Sequence, residues 1–143
     1  MIYFDEDKHR YIDENGKEYK GVTEAIGKLL GKSFPDIEKV KVHTSFGSQV
    51  HKEVENHIMK GTKCTLEASK KAVELIKQIK NMHQGVLAVS EYTVTDGDAT
   101  ASNIDFVMHC KDGGYVLADI KTGEFDRVYS TIQLQCYRAL FEK

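Results

Sequence analysis

Cysteine is scarce in this 143-residue chain, and long apolar runs are missing. The three cysteines, Cys64, Cys110 and Cys136, stand far apart without a CxxC spacing. This odd, scattered set argues against a disulfide framework and against a zinc or iron–sulfur site, and it favours a reducing cytoplasmic compartment. No apolar run exceeds the four residues of 86–89, so we expect no transmembrane helix and no membrane partner. The N-terminus lacks an apolar signal core, so secretion is not expected.

The rest of the composition is that of an average soluble globular protein, with 41% apolar and 29% charged residues. A chain of this length predicts one domain, 1–143. The net charge of −2 is unevenly spread, because residues 20–80 hold 12 Lys against 7 acidic residues, and the remainder holds 8 basic against 15 acidic residues. This distribution predicts either a phosphate-binding face beside a metal centre or lysines on solvated helix faces.

Turn and cap signals divide the chain into a ribbon, three helices, three strands and a last helix. Asn15-Gly16 predicts a two-residue type I′ turn in a β-ribbon over 1–21. Thr23 and Thr65 are predicted N-caps, Gly31, Gly61 and Gly85 are predicted helix ends, and turn-rich connections predict an antiparallel meander. The fold class is therefore α+β. The predicted bounds are 24–30, 44 or 45 to 60 and 66–84 for the helices, 86–95, 102–109 and 114–121 for the strands, and about 130 onward for the last helix, with Ile132, Cys136, Leu140 and Phe141 inward.

Acidic side chains interrupt the apolar pattern of the second and third predicted strands. Alternation places Asp105, Asp119 and Lys121 on one side, among apolar neighbours such as Val107 and Leu117. Two buried carboxylates repel each other, so either one stays protonated or a divalent cation lies between them. Mg²⁺ or Mn²⁺ suits such oxygen ligands, and a nearby lysine suits phosphodiester hydrolysis. The alternative is a cross-strand ion pair between Asp105 and Lys121.

Five short motifs follow one another along the chain in a specific order. They are HRYIDENGKEYKGVTEAI, GSQVH ending at His51, Asn103-Ile104-Asp105, Asp119-Ile120-Lys121-Thr122-Gly123, and Q-x-x-x-Y from Gln133 to Tyr137. In this order the chain resembles the PD-(D/E)XK nucleases, in the RecB-like exonuclease branch that includes phage and mitochondrial members. Two positions depart from the pattern, with Asn103 where glycine is more usual and Gly21 in place of serine.

The resemblance implies a role for each matching residue. His51 and Asp105 would be metal ligands, Asp119 would bind metal through its carboxylate, and Ile120 through its backbone carbonyl. Lys121 would act on the nucleophilic water, so that Asp105, Asp119 and Lys121 form the catalytic set. Supporting or DNA-positioning residues would be Gln133, Tyr137 and, by a looser match, Glu91.

The residues by themselves leave blander interpretations open. A lone histidine beside an apolar stripe, such as His51, is more often a boundary residue than a ligand. Glu91 is equally well interpreted as an edge-strand carboxylate paired with lysine. Gln133 and Tyr137, at i and i+4, also fit an amphipathic helix with a buried tyrosine hydroxyl.

The implied fold is a restriction-endonuclease-like core over 44–143, a central mixed or antiparallel sheet flanked by helices, preceded by the N-terminal hairpin of 1–21. That core normally adds a strand after the Q-x-x-x-Y helix, whereas this chain ends at Lys143. We therefore expect the final core strand to be missing, in a minimal domain or in a fragment of a longer protein, or to be completed by an oligomer or a C-terminal partner. Some family members carry a cysteine cluster for iron and sulfur; its absence here predicts no iron–sulfur cluster.

The predicted function is a divalent-metal-dependent DNA nuclease, an exonuclease of DNA recombination or repair, with Mg²⁺ or Mn²⁺ as cofactor and DNA as partner. Two alternatives stay open on the same fold. One is a nucleic-acid-binding or regulatory module that does not cleave, and the other is a structure-specific endonuclease. Comparing the loss of labelled DNA with metal and with EDTA distinguishes a nuclease from the non-cleaving module. Comparing linear with closed circular DNA distinguishes an exonuclease from the endonuclease.

Overall fold

The computed structural model describes residues 1–5, 8, 10–29, 37–122 and 127–143. Over these residues the fold is α+β, as predicted, with four helices and two three-stranded antiparallel sheets. The elements are β1 (Ile2–Asp5), β2 (Arg10–Asp13), β3 (Glu18–Tyr19), α1 (Val22–Leu29), α2 (Ile37–Lys60), α3 (Glu67–His83), β4 (Gly85–Thr95), β5 (Ala101–Cys110), β6 (Tyr115–Ala118) and α4 (Arg127–Phe141).

The N-terminal ribbon is confirmed as an antiparallel sheet in the order β1-β2-β3. Its predicted type I′ turn is wrong, since four residues separate β2 from β3 and only Gly16 of the Asn15-Gly16 pair has a positive φ, 82°. The Asp13 carboxylate accounts for the longer turn. It accepts the backbone N–H groups of Asn15 and Lys17 at 2.9 and 3.0 Å, and this local hydrogen bonding replaces the tight turn.

The helices lie where they were predicted, but their ends differ. The α2 helix begins at Ile37 rather than at 44 or 45, because the 37–43 segment holds no glycine or proline to stop it. Thr23 lies inside α1 and is not its cap. Gly31, the predicted end of α1, lies outside the described residues.

The predicted caps of α3 are also wrong. Its N-cap residue is Leu66, which makes no side-chain cap, and Thr65 instead donates to Glu53 of α2. Its C-cap is Gln84, in the left-handed region at φ 52°, and not Gly85. Gly85 opens β4, where a Cβ atom would lie 2.2 Å from Met108 Sδ. The glycine is therefore needed for close packing rather than for helix termination.

The second sheet has the order β4-β5-β6. The predicted pairing of apolar faces is confirmed, with Phe106 opposite Ala118 and Met108 opposite Val116. Phe106, Met108 and Cys110 form a buried cluster, onto which α2 and α3 pack side chains. Those helical residues are Ile58, Ile76 and Ile79. A second cluster, Val50, Val54 and Val73, joins the same two helices.

The β6 strand is shorter than predicted and stops at Ala118. The backbone N–H of Ile120 donates to Asp105 Oδ2 at 2.7 Å, so this donor is bound to a side chain instead of continuing the strand ladder. Asp119, Ile120 and Lys121 therefore follow the strand and do not lie within it.

The described chain forms two compact units. Unit 1 holds Met1–Ser33, Thr93–Ile104 and Asp126–Lys143, and unit 2 holds Phe34–Tyr92 and Asp105–Phe125. In unit 1, α4 packs against α1. The predicted inward face of α4 is wrong in part, since the predicted residues are half-buried and the deepest are others: Ser130, Gln133 and Tyr137.

No helix within the described ranges combines the length and the apolar character needed to cross a membrane.

Candidate metal centre

His51 of α2 projects toward the chain segment that follows β6. Its Nε2 atom lies 2.9 Å from the carbonyl oxygen of Ile120, and its Nδ1 atom lies 3.5 Å from Asp105 Oδ1. The imidazole ring therefore contacts two of the predicted ligand residues at once. Two ligands at right angles around a magnesium-sized cation are about 3 Å apart, so the spacing of Nε2 and the carbonyl fits a shared cation as well as a hydrogen bond.

Gly47 explains how α2 comes so close to this segment. A Cβ atom at Gly47 would lie 3.1 Å from the Thr122 hydroxyl oxygen, tighter than ordinary van der Waals contact. Glycine lets the helix lie directly against the segment after β6, and His51, one helical turn further on, then reaches Ile120. This contact gives the predicted G-x-x-x-H spacing a physical meaning.

Asp105 and Asp119 form a close carboxyl pair. The β5–β6 register, continued one residue past the Phe106–Ala118 pair, sets them opposite each other. Asp105 is buried, and its carboxyl is within hydrogen-bonding reach of the Asp119 carboxyl. Burial, followed by the charge of Asp119 and that hydrogen bond, raises the pKa of Asp105 to about 9. The raised pKa favours the neutral, protonated form of the Asp105 carboxyl, and both of the states that the sequence predicted stay open.

Glu91 completes the cluster from β4. One ligand atom from each of His51, Glu91 and Asp105 lies within 4.8 Å of the others. Burial, followed by the charges of Glu55 and Asp119, raises the pKa of Glu91 to about 7, against the opposing charge of Lys52. Glu91, which matched the family pattern only loosely, therefore lies with the predicted ligands in the structure.

The backbone of Glu91 is strained. Its φ of 55° lies in the left-handed region, which a non-glycine residue seldom adopts within a strand. The neighbouring Ser90 hydroxyl donates to the Asp105 carbonyl at 3.0 Å and ties β4 to β5 beside this point. Such outliers persist where the surrounding structure fixes them, and they concentrate at functional sites.

Lys121 contacts Asp119 directly, with Nζ 2.5 Å from Oδ2. That oxygen is buried and has no well-angled hydrogen bond, although the ion pair neutralises it. About one-third of the lysine side chain is exposed, whereas that of Asp119 is 9% exposed. The lysine side chain therefore extends from the buried carboxyl pair toward solvent.

The donor set fits a small, hard divalent cation. It offers an imidazole nitrogen and carboxylate oxygens from Asp105 and Glu91, with the Asp119 carboxyl beside Asp105 and the Ile120 carbonyl beside His51. Such oxygen-rich donors suit Mg²⁺ or Mn²⁺ better than soft metals. The raised pKa values of Asp105 and Glu91 reflect first the burial of these acids and then the negative charges of their acidic neighbours. A bound dication would offset these charges and release the protons.

Gln133 and Tyr137 belong to unit 1, whereas His51, Glu91, Asp105 and the 119–121 segment belong to unit 2. The Gln133 amide donates to the Tyr137 hydroxyl at 2.9 Å, and both side chains are buried. This contact agrees with the amphipathic-helix interpretation of the Q-x-x-x-Y motif. Their supporting role at the centre stays a prediction, and Gly123 of the D-x-K-T-G motif lies outside the described residues.

Sequence reasoning missed two charged residues of this neighbourhood, Glu55 and Lys52. Both act on the ionisation of Glu91, and they contact each other, with Lys52 Nζ 3.4 Å from the Glu55 carboxylate. The signal was available, because Glu55 lies four residues after His51 and so shares its helix face.

No family model, curated protein or solved structure matches this chain.

Proposed function

We propose that this chain is a divalent-metal-dependent deoxyribonuclease that acts as an exonuclease in DNA recombination or repair. The observation that carries the proposal is the convergence of His51, Asp105 and the Asp119–Lys121 ion pair around the Ile120 carbonyl. His51, Asp105 and the 119–121 segment are 14 to 70 positions apart in sequence, and three different elements or their ends supply them. A surface ion pair needs no such assembly of buried acids, histidine and carbonyl.

Each residue then has a distinct part in phosphodiester hydrolysis, which adds water across one P–O bond. Asp105, Asp119, His51 and the Ile120 carbonyl would hold the cation. The cation, when bound, supplies Lewis-acid stabilisation of charge on the phosphate oxygens. Lys121 would orient the attacking water and balance developing negative charge near the scissile phosphate.

We further propose that unit 2 is built on a restriction-endonuclease-like core. What supports this is the order of elements, a histidine-bearing helix followed by the β4-β5-β6 meander, with the acids at β5 and just after β6. The proposal predicts that the reaction needs the D-x-K segment and stops without metal.

The test is cleavage of end-labelled linear DNA with Mn²⁺, Mg²⁺ or EDTA, beside closed circular DNA. The wild type should degrade the linear substrate from its end only when metal is present. Lys121→Ala should lose about 10²-fold or more in single-turnover rate yet still bind Mn²⁺, whereas Asp119→Ala should lose both.

Asp98→Asn is the matched control, because the Asp98 side chain is 91% exposed and belongs to unit 1. It should cleave at the wild-type rate. A Lys121→Ala variant with wild-type turnover would reduce the lysine to an ion-pair partner of Asp119. Metal-dependent DNA binding without any cleavage would favour the non-cleaving module, and cuts in circular DNA would favour the endonuclease.

A further inference from the structure

A groove of about 380 Å³ lies beside the candidate metal centre, within unit 2. One wall is the exposed side of α3, and the other is the segment from Ala118 to Thr122. Asp119 belongs to both the groove and the acid pair, so the two sites are continuous.

The floor of the groove is apolar while two of its lining residues are cationic. Lys71 and Lys121 supply the positive charge, and the apolar lining from α3 is Ala72, Leu75, Ile76 and Ile79. Leu75 is 58% exposed and offers an apolar side chain at the groove. This lining suits a ligand that combines an apolar part with negative charge beside Lys71 and Lys121.

We infer that this groove binds the base of one unpaired nucleotide next to the scissile phosphate, so that the substrate is single-stranded nucleic acid at the point of cleavage. The inference rests on the proposed nuclease function and adds the state of the substrate. The base would lie on the α3 side chains, and the phosphates beside it would face Lys71 and Lys121.

Size and surface both favour an unpaired strand. A volume of this order holds a group the size of one nucleotide and excludes a double helix about 20 Å across. In a duplex, stacked neighbours cover both faces of a base, and only an unstacked base offers an apolar face to a protein. Lys71 and Lys121 would then contact the phosphate backbone of the strand.

The test compares an oligothymidylate with two analogues that carry one abasic residue, on either side of the cleavable phosphate. With Mn²⁺, the wild type should cleave one abasic analogue about tenfold more slowly, at the lower end of the effect of losing one stacked base. Leu75→Gln should slow the intact strand to a similar degree and change the rate on that analogue little. Lys71→Gln should weaken binding of all strands and flatten its salt dependence.

Leu87→Gln is the control, since Leu87 is 62% exposed, lies on β4 and does not line the groove. Equal rates on the intact and both abasic strands, or equal losses for Leu75→Gln and Leu87→Gln, would overturn the inference while leaving nuclease activity standing. If no strand is cleaved, the proposed function fails instead. Fluorescence anisotropy with Ca²⁺ then tests base binding in the groove without cleavage. Equal affinity for the intact and abasic strands would refute the inference, and weaker binding of the abasic strand would support it.

Discussion

At the scale of single residues, Asp105 shows what a buried acid costs and what it provides. Its carboxyl accepts the Ile120 N–H, faces His51 Nδ1 and, in its protonated form, lies within hydrogen-bonding reach of the Asp119 carboxyl. The unfolded chain releases that proton near the ordinary value of 3.8, whereas the folded chain holds it to about 9. A carboxyl with a raised pKa lowers stability as the pH rises between these two values.

Asp105→Asn should therefore separate stability from metal binding. An amide keeps the hydrogen-bond acceptor for Ile120 and carries no charge at any pH. We expect the metal-free variant to melt at the wild-type temperature near pH 4 and at a higher temperature than the wild type at pH 8. It should gain no stability from Mn²⁺. Thermal melts at both pH values, with and without metal, check this, and a lower melting temperature at pH 8 would contradict it.

At the scale of elements, the junction between α3 and β4 depends on one close contact. Gly85 opens the strand where a side chain would overlap Met108, which is fully buried between the sheet and the two helices. Neither the helix nor the strand pattern reveals this, because the contact joins residues 23 positions apart in sequence.

Gly85→Ala should destabilise the protein by about 1–3 kcal/mol, the usual cost of overpacking a filled core. Met108→Ala should destabilise it through a cavity, by about 2–5 kcal/mol. The double variant should lose less than the sum, because the shortened side chain leaves room for the added methyl group. Urea denaturation of the four proteins gives the coupling, and strict additivity would show that Gly85 does not meet Met108.

A second element-scale device is the N-terminus of α3, which a neighbouring helix caps. Glu53 of α2 accepts the Thr65 hydroxyl at 2.6 Å and the backbone N–H groups of Thr65 and Leu66 at 2.9 Å each. The Thr65 hydroxyl, followed by these N–H groups, lowers the pKa of Glu53 to about 2. A carboxylate thus performs for α3 the task that its own N-cap residue, Leu66, does not.

The Glu53 cap should give the protein an acid-sensitive component of stability. A carboxylate with a lowered pKa stabilises fully above the ordinary 4.5 and loses that contribution as the pH falls toward about 2. Glu53→Gln should melt lower than the wild type at pH 6, and the gap should close between pH 4.5 and 2. Other acids with lowered pKa values, such as Asp13 and Glu18, titrate in both proteins, so the difference between the two melting curves is the readout. A constant difference in melting temperature between the two proteins from pH 4.5 to 2 would show that Glu53 does not stabilise α3 as a cap.

At the scale of the whole molecule, the sequence predicts the kind and order of the elements better than their ends. Apolar periodicity located α2, α3 and the β5–β6 pairing because local spacing determines which face is buried. It placed Asp119 inside a strand because it could not foresee that Asp105 takes the Ile120 N–H. The left-handed Glu91 and the role of Gly47 depend on contacts between distant segments, which no local pattern encodes.

The candidate site was predictable as residue types and less so as geometry. Buried acids on neighbouring strands indicated Asp105 and Asp119, whereas His51 and Glu91 needed the motif resemblance. Glu55 could have been found from its i+4 spacing to His51, whereas no sequence pattern places Lys52 near Glu91.

These geometric relations make one prediction for the whole molecule: divalent metal should act as a folding ligand. A cation that binds only the folded chain stabilises it by about 2.7 kcal/mol at one hundred times its dissociation constant. For a chain of this size that corresponds to a rise in melting temperature of roughly 5–10 °C. The rise should be continuous with Mn²⁺ concentration, should reverse with EDTA, and should be absent in Asp119→Ala.

Differential scanning calorimetry of wild type, Asp119→Ala and the exposed control Asp98→Asn measures this directly. Wild type and Asp98→Asn should follow the same dependence on Mn²⁺, because the Asp98 side chain is 91% exposed and belongs to unit 1, whereas the candidate ligands belong to unit 2. Mg²⁺ should act in the same direction with a smaller rise at equal concentration, since it binds a mixed nitrogen and oxygen site less tightly than Mn²⁺. A melting temperature that stays fixed in all three proteins would mean that the acids around His51 are a proton-sharing cluster and not a metal centre.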